Sequence, residues 1–461
     1  MLKQRQFYRQ PEYVFLVLSL IFGLIFWLVI PPFQVPDEPT HFFRAYQITQ
    51  FDFVAQKPDS HAGGMLPKSL NIFSSVWFDL QFHPEQKATW EKFQESWQIS
   101  LQPSQKVFLW FSNTALYSPI PYLPQSLGIA IGKIFTAPPL LLLYLGRFFA
   151  GIVATGITFW AIARLPFLKW AFVFLSLTPM AIFLRNSLSA DSVLIALSFL
   201  FVAICLDYAF RDRQQKLTAW NIAELAVLGI AISLCKQVYF PLVFLFFLIP
   251  RHKIGSTKRY FAAAGIVILA TLIVTLGWSI TIENIYAPVR TDVPIDPQKQ
   301  LNFILENPIQ FLSMIWADVW NNIDIYLHHI VGVLGWLDTP LPEILWIPYW
   351  LVLLVAAIAD NRSQINIHWW QKIGTFLVFL GGVWLIYMSI FMSWTPVGME
   401  DVEGIQGRYF YPFVPLVLLL LVNRRWQLPF SPKKWHLAAT FYLLLMLTAS
   451  VAILSDRYYP I

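Results

Sequence analysis

The chain has 461 residues, of which 57% are hydrophobic and 13% charged, with a formal net charge of +6. Soluble domains carry roughly 25% charged residues, so this composition excludes a soluble enzyme and describes an all-α, polytopic membrane protein. It also excludes a nucleic-acid footprint. The basic clusters "RDRQQK" (211–216), "RHKIGSTKR" (251–259) and "RRWQLPFSPKK" (424–434) sit in short loops between apolar runs, where basic residues mark the cytoplasmic side.

Lys3, Arg5 and Arg9 precede the first apolar run, 13–30. No small-residue cleavage site precedes "PPFQ", so this run is expected to be a retained span leaving the N-terminus in the cytoplasm. Residues 31–138 then form an extracytoplasmic segment rich in Trp and Phe. Within it, "YSPIPYLPQSLGIAIGKIF" (117–135) is apolar but interrupted by three prolines. It is expected to lie along the outer interface, because every later basic loop then falls inside. A span needs about 20 apolar residues. On that criterion the rest of the chain divides into 139–163, 167–184, 190–210, 219–235, 237–250 and 260–283, then 344–359, 372–393, 409–423 and 435–455. With the first run this makes about eleven transmembrane helices. The chain thus reads as a first span (1–30), outer segment 31–138, spans two to seven (139–283), a second outer segment (284–343) and spans eight to eleven (344–461). The C-terminus is expected outside. Both outer segments are expected to carry interfacial helices; Trp316, Trp320 and Trp336 suit one at the lipid headgroups. Cys205 and Cys235 lie in or beside apolar segments without metal-like spacing and are expected to be packing thiols.

Ionisable residues at membrane depth are costly and mark function. On this threading they gather on the outer face: Asp37, Glu38, His41 and Arg44 after the first span; Arg147 in "LYLGRFFAG"; Arg185 and Asp191 around "NSLSADS"; Lys236 in "LCKQVYFP"; Asp338 in "GWLDTP"; and Glu400, Asp401, Glu403 and Arg408 in "GMEDVEGIQGRYFYP". Arg147 and Arg408 also suit snorkelling anchors, and Arg185 and Asp191 suit a pair across a turn. His41 and His83 with nearby carboxylates leave a divalent metal open, though no spacing signature supports one.

In "VPDEPTHFFRAYQIT", Pro39 suits the first turn of a helix, placing Glu38 near the N-cap and Asp37 just before it. Capping accounts for one acid. The second is free to take a proton from a hydroxyl, and His41, Arg44 and Ile48 share a helical face with it.

An outer acidic pair after the first span, a long outer loop, a Pro-rich interfacial segment and a span opening "LGRFFAG" resemble the GT-C superfamily of membrane glycosyltransferases. More closely, "PPFQVPDEPTHFFRAYQI", "SLSADS", "CKQVYFPL", "GVLGWLDT" and "GIQGRYFYPFVPL" are similar to a bacterial family of predicted membrane proteins of unknown function grouped with that superfamily. The resemblance implies a GT-C-like fold in a bacterial inner membrane. It also implies a sugar donor on polyprenyl phosphate or pyrophosphate, and a glycan, lipid or protein acceptor. Asp37 or Glu38 would be the catalytic base, Asp37 by preference, in an inverting single displacement. Arginine suits phosphate, so Arg408, Lys236, Arg185, Arg147 and Arg44 become candidates to hold it. His41, Asp191, Asp338 and Gln406 complete the expected substrate-binding set, and Trp77, Trp90, Trp97 and Trp110 are candidates to stack on sugars. A polysaccharide polymerase or ligase, a lipid or glycan transporter and a non-catalytic envelope assembly factor are the alternatives.

Overall fold

The computed structural model describes residues 10–211, 216–359, 365, 367–422 and 431–460. Lys3, Arg5 and Arg9, and the loop residues 212–215 and 423–430, lie outside the described residues.

Among the described residues, six helices are long and apolar enough to cross a membrane: α1 (Pro11–Val29), α6 (Pro139–Arg164), α9 (Asp191–Phe210), α11 (Thr257–Thr281), α15 (Trp369–Ser393) and α17 (Pro432–Tyr458). Their outward faces are apolar. Leu20, Ile21, Leu24 and Leu28 of α1 are exposed, as are Leu269, Ile273, Leu276 and Ile280 of α11. Apolar stripes of this length are stable only against lipid, so the chain is a multi-pass membrane protein. At the centre stands α9, buried almost end to end, with α6 and α10 (Ala219–Cys235) packed on it.

The other expected spans are not single long helices, and proline accounts for most of the differences. The run 167–184 divides into α7 (Lys169–Ser176) and α8 (Pro179–Arg185). Pro179 cannot donate to a helix arriving from α7, and Thr178 is extended and caps α8 through its hydroxyl. The run 237–250 is a 3-10 helix, Gln237–Leu248, with Pro241 inside it; at ~2.0 Å per residue it reaches further than an α-helix of equal length. The run 409–423 begins as a 3-10 helix, Gly407–Phe413, around Pro412 and continues as α16 (Val414–Leu421). The run 344–359 is α14 (Glu343–Ala359), which holds Pro348. Among the described residues, six of the expected eleven runs are helices long enough to span, and the others are shorter apolar helices.

The segment 31–138 contains α2 (Glu38–Ile48), β1 (Gly63–Pro67), α3 (Lys68–Ser75), α4 (Trp90–Gln98), β2 (Lys106–Trp110) and α5 (Leu123–Ile134). At twelve residues, or ~18 Å, α5 is too short to span and packs along α6, as the proline interruptions imply. The segment 284–343 carries α12 (Pro297–Glu306) and α13 (Pro308–Gly332). Trp316 and Trp320 of α13 are exposed, but the Trp336 indole turns inward to donate to the Phe33 carbonyl. Two small antiparallel pairings amend the all-helical expectation: β1 with β2, and β3 (Val333–Leu334) with β4 (Thr339–Pro340).

Candidate functional site

The segment after α1 builds the site. Every residue of α2 except Thr40 is buried, although the helix reads EPTHFFRAYQI. Polar side chains buried in this way require partners, and each finds a different one. Asp37 is the N-cap, one position earlier than expected, and takes a left-handed conformation (φ 63°) that aspartate tolerates better than most residues. Its carboxylate makes no cap hydrogen bond. Instead Oδ1 accepts from Asn113 Nδ2 at 2.9 Å, and Oδ2 lies 3.6 Å from Arg408 Nη2. The Asp37 side chain remains 45% exposed.

Glu38, the first helical residue, is wholly buried. Its two oxygens accept from Arg147 Nε and Nη2 at 2.8 and 2.5 Å, and from the backbone N–H groups of Leu188 and Phe33. Arg147 also donates to the carbonyls of Ile30 and Pro31. This pair ties the end of α1 to α6 and has no face left for a substrate. Glu38 as a base and Arg147 as a phosphate ligand are therefore corrected to structural positions.

Around Asp37, turns distant along the chain meet. His41 Nδ1 lies 2.7 Å from the Tyr122 hydroxyl, and its ring stacks on Tyr117. Burial lowers the His41 pKa to about 4, against the opposing fields of Asp37 and Asp191, so the imidazole is neutral at pH 7. Asp191 opens α9, where the helix N-terminus favours an anion, and accepts from Lys236 Nζ at 2.6 Å. Lys236 follows α10 in an extended conformation and is set between the rings of Tyr117 and Tyr409, 5.5 and 5.6 Å from their centroids. Tyr117 is held by its neighbours: Leu116 accepts from the Trp278 indole, and Ser118 donates to the Leu234 carbonyl. Arg408 lies on the 3-10 turn after Gly407, where a Cβ would come within 2.2 Å of the Tyr326 carbonyl. Only glycine lets that turn approach α13 so closely.

Tyr117, Lys236 and Tyr409 also form part of the wall of a cavity of about 250 Å³. The rest of its wall is mainly apolar, including Trp278, Ile282, Ile386 and Ile390. A charged rim on an apolar chamber suits an amphipathic ligand.

The remaining expected residues lie elsewhere. Arg44 donates to Gln47 and to the carbonyls of Phe53 and Tyr117, which fixes the loop instead of facing a ligand. Arg185 does not pair with Asp191; it donates to Ser19 Oγ and the Ser176 carbonyl within the helix bundle. Asp338 accepts from Trp336 N–H, Thr339 and Arg457, anchoring α17 to the turn between β3 and β4. Gln406 leads into the Arg408 turn, and its Oε1 is buried without a hydrogen-bond partner among the described residues. Trp77 is core, with its indole donating to Ser96, whereas Trp90, Trp97 and Trp110 are exposed. Cys205 and Cys235 are buried free thiols.

Asn113, Tyr117, Tyr122 and Tyr409 were not singled out by sequence. Tyr117 and Tyr122 bracket "YSPIPY", where close prolines signalled a shaped turn; Asn113 carried no signal. Among the described residues, no group of three or more His, Cys, Asp or Glu side chains is placed to hold a metal ion. His83 lies at an exposed site and pairs with Glu85 at 2.9 Å.

No curated protein and no solved structure matches the chain. The family model described as "Predicted membrane protein (DUF2142)" matches residues 20–417, nearly the whole length of the sequence, and the chain belongs to that family.

Proposed function

We propose that this protein is a membrane glycosyltransferase that moves a sugar from a polyprenyl-phosphate donor to a hydroxyl on the extracytoplasmic face, with inversion at the anomeric carbon. Asp37 is the general base. The observation that carries this reading is the state of its carboxylate: held by Asn113, half-exposed, and 3.6 Å from a buried arginine. An anchored acid with an open face can receive a proton from a bound hydroxyl.

In the proposed step the acceptor O–H gives its proton to Asp37 as the oxygen bonds to the anomeric carbon. The bond from that carbon to the phosphate oxygen breaks, and the electron pair leaves with the lipid phosphate. Negative charge therefore grows on the phosphate, where Arg408 and Lys236 supply positive potential. The planar guanidinium of Arg408 fits phosphate oxygens in pairs. The cavity beyond Lys236 gives the first apolar units of the lipid a wall to pack against. Neutral His41 shapes this space without adding charge.

The test is to incubate the purified full-length protein with polyprenyl-phosphate sugars and a bacterial envelope extract as acceptor. Sugar should disappear from the lipid as free polyprenyl phosphate accumulates. Intact lipid-linked sugar across the common hexose, pentose and amino-sugar donors would overturn the proposal.

A further inference from the structure

Arg408 has two properties that together point to a ligand. Its side chain is only 6% exposed, yet its Nε has no hydrogen-bond partner among the described residues. Its contact with Asp37, at 3.6 Å, is longer than an N–H···O hydrogen bond. A buried guanidinium held this loosely is under-satisfied. Asp191 acts on Arg408 through its field, but its direct contact goes to Lys236 at 2.6 Å. The two nearby imidazoles are neutral at pH 7: burial lowers both His41 and His329 to about 4. The resting cluster therefore contains two cations, Lys236 and Arg408, against two carboxylates, Asp37 and Asp191. The other buried arginines of this region, Arg44, Arg147 and Arg185, are committed to protein oxygens.

We infer that the cluster is a binding site for a lipid phosphate monoester, and that Arg408 turns to this ligand when Asp37 becomes neutral. This deepens the transferase reading and rests on it for the identity of the ligand. In the transfer step the donor phosphodiester carries one negative charge, and the departing lipid phosphate carries two. The proton that leaves the acceptor neutralises Asp37. The same event frees Arg408 from its carboxylate neighbour at the moment the phosphate gains its second charge. Total charge is conserved, and the positive potential moves from base to leaving group without any movement of the backbone.

The test is equilibrium binding, which needs no turnover. Detergent-solubilised full-length protein is titrated with a prenyl phosphate, with the corresponding prenyl alcohol and with inorganic phosphate. Asp37→Asn is close to isosteric at a half-exposed position, and Asp37→Ala is a second neutral variant. Both should bind prenyl phosphate about tenfold more tightly than the parent, the size of one charge-assisted contact. The gain should be absent for the alcohol and should vanish in Asp37→Asn/Arg408→Gln protein that melts normally. Unchanged or weaker prenyl phosphate binding by both Asp37 variants would overturn the inference. An equal gain for inorganic phosphate would remove the lipid from it. Asp37→Asn protein that binds more tightly yet still transfers sugar would sink the base and leave this site standing; inactive protein with unchanged affinity would do the reverse.

Discussion

Asp37 and Glu38 are adjacent in the chain, and each faces an arginine from a distant segment, but the two pairs have opposite characters. Glu38 and Arg147 are both 0% exposed, 2.5 Å apart, and every remaining contact goes to backbone groups. Asp37 and Arg408 are 3.6 Å apart, and the acid is 45% exposed. The left-handed backbone at Asp37 produces this divergence: it turns the carboxylate away from the helix N-terminus, toward Asn113 and Arg408. One acid locks α1 to α6, and its neighbour remains available for chemistry.

The largest effect should come from breaking the locked pair. Glu38→Gln leaves the Arg147 charge buried without a carboxylate and should destabilise the fold by about 3–5 kcal/mol, seen as loss of folded protein in detergent. Glu38→Leu/Arg147→Met should recover part of that loss, because apolar replacement of a buried pair removes both desolvation costs. Asp338→Asn comes next. Its partner Arg457 is 5% exposed and Asp338 itself 12%, so a drop of ~1–3 kcal/mol is expected from the unpaired cation. Transfer per folded molecule should be unchanged, because this pair lies outside the Asp37 cluster. Asn113→Ala should move the open pair and not the locked one: transfer falls about tenfold as Asp37 loses its anchor, with little change in melting temperature. The smallest effect concerns His41. A histidine whose folded pKa lies near 4, below the unfolded value of ~6.5, favours the native state fully above pH 6.5. That contribution is lost as pH falls from 6.5 toward 4, because protonation favours unfolding. The parent should lose melting temperature more steeply over that range than His41→Gln protein; parallel curves would contradict the assigned burial.

Much of the cluster was legible in the sequence because ionisable groups beside a membrane are costly. Asp37, His41, Asp191, Lys236 and Arg408 were all identified on that ground, and the structure brings them together. Arg44, Arg147 and Arg185 satisfied the same criterion but belong to other neighbourhoods. Their partners are mainly carbonyls freed at interrupted helix ends, such as those of Ile30, Pro31 and Ser176, and a sequence does not show which carbonyls a break leaves open. Asn113 was invisible because an asparagine in a loop is ordinary until the turn places it. In the fold, the long apolar runs followed from hydropathy and length, and the proline-interrupted 117–135 holds only the short helix α5. The division of 167–184 was signalled by Pro179 but outweighed by uninterrupted hydropathy, and the 3-10 geometry of Gln237–Leu248 depends on packing that hydropathy does not encode.

If Asp37 takes the proton, sugar followed on polyprenyl phosphate with Asp37→Asn protein, at a melting temperature matching the parent, is the decisive measurement. Transfer should slow by ~10²–10⁴-fold while the protein stays folded. Transfer at the parental rate would contradict that role.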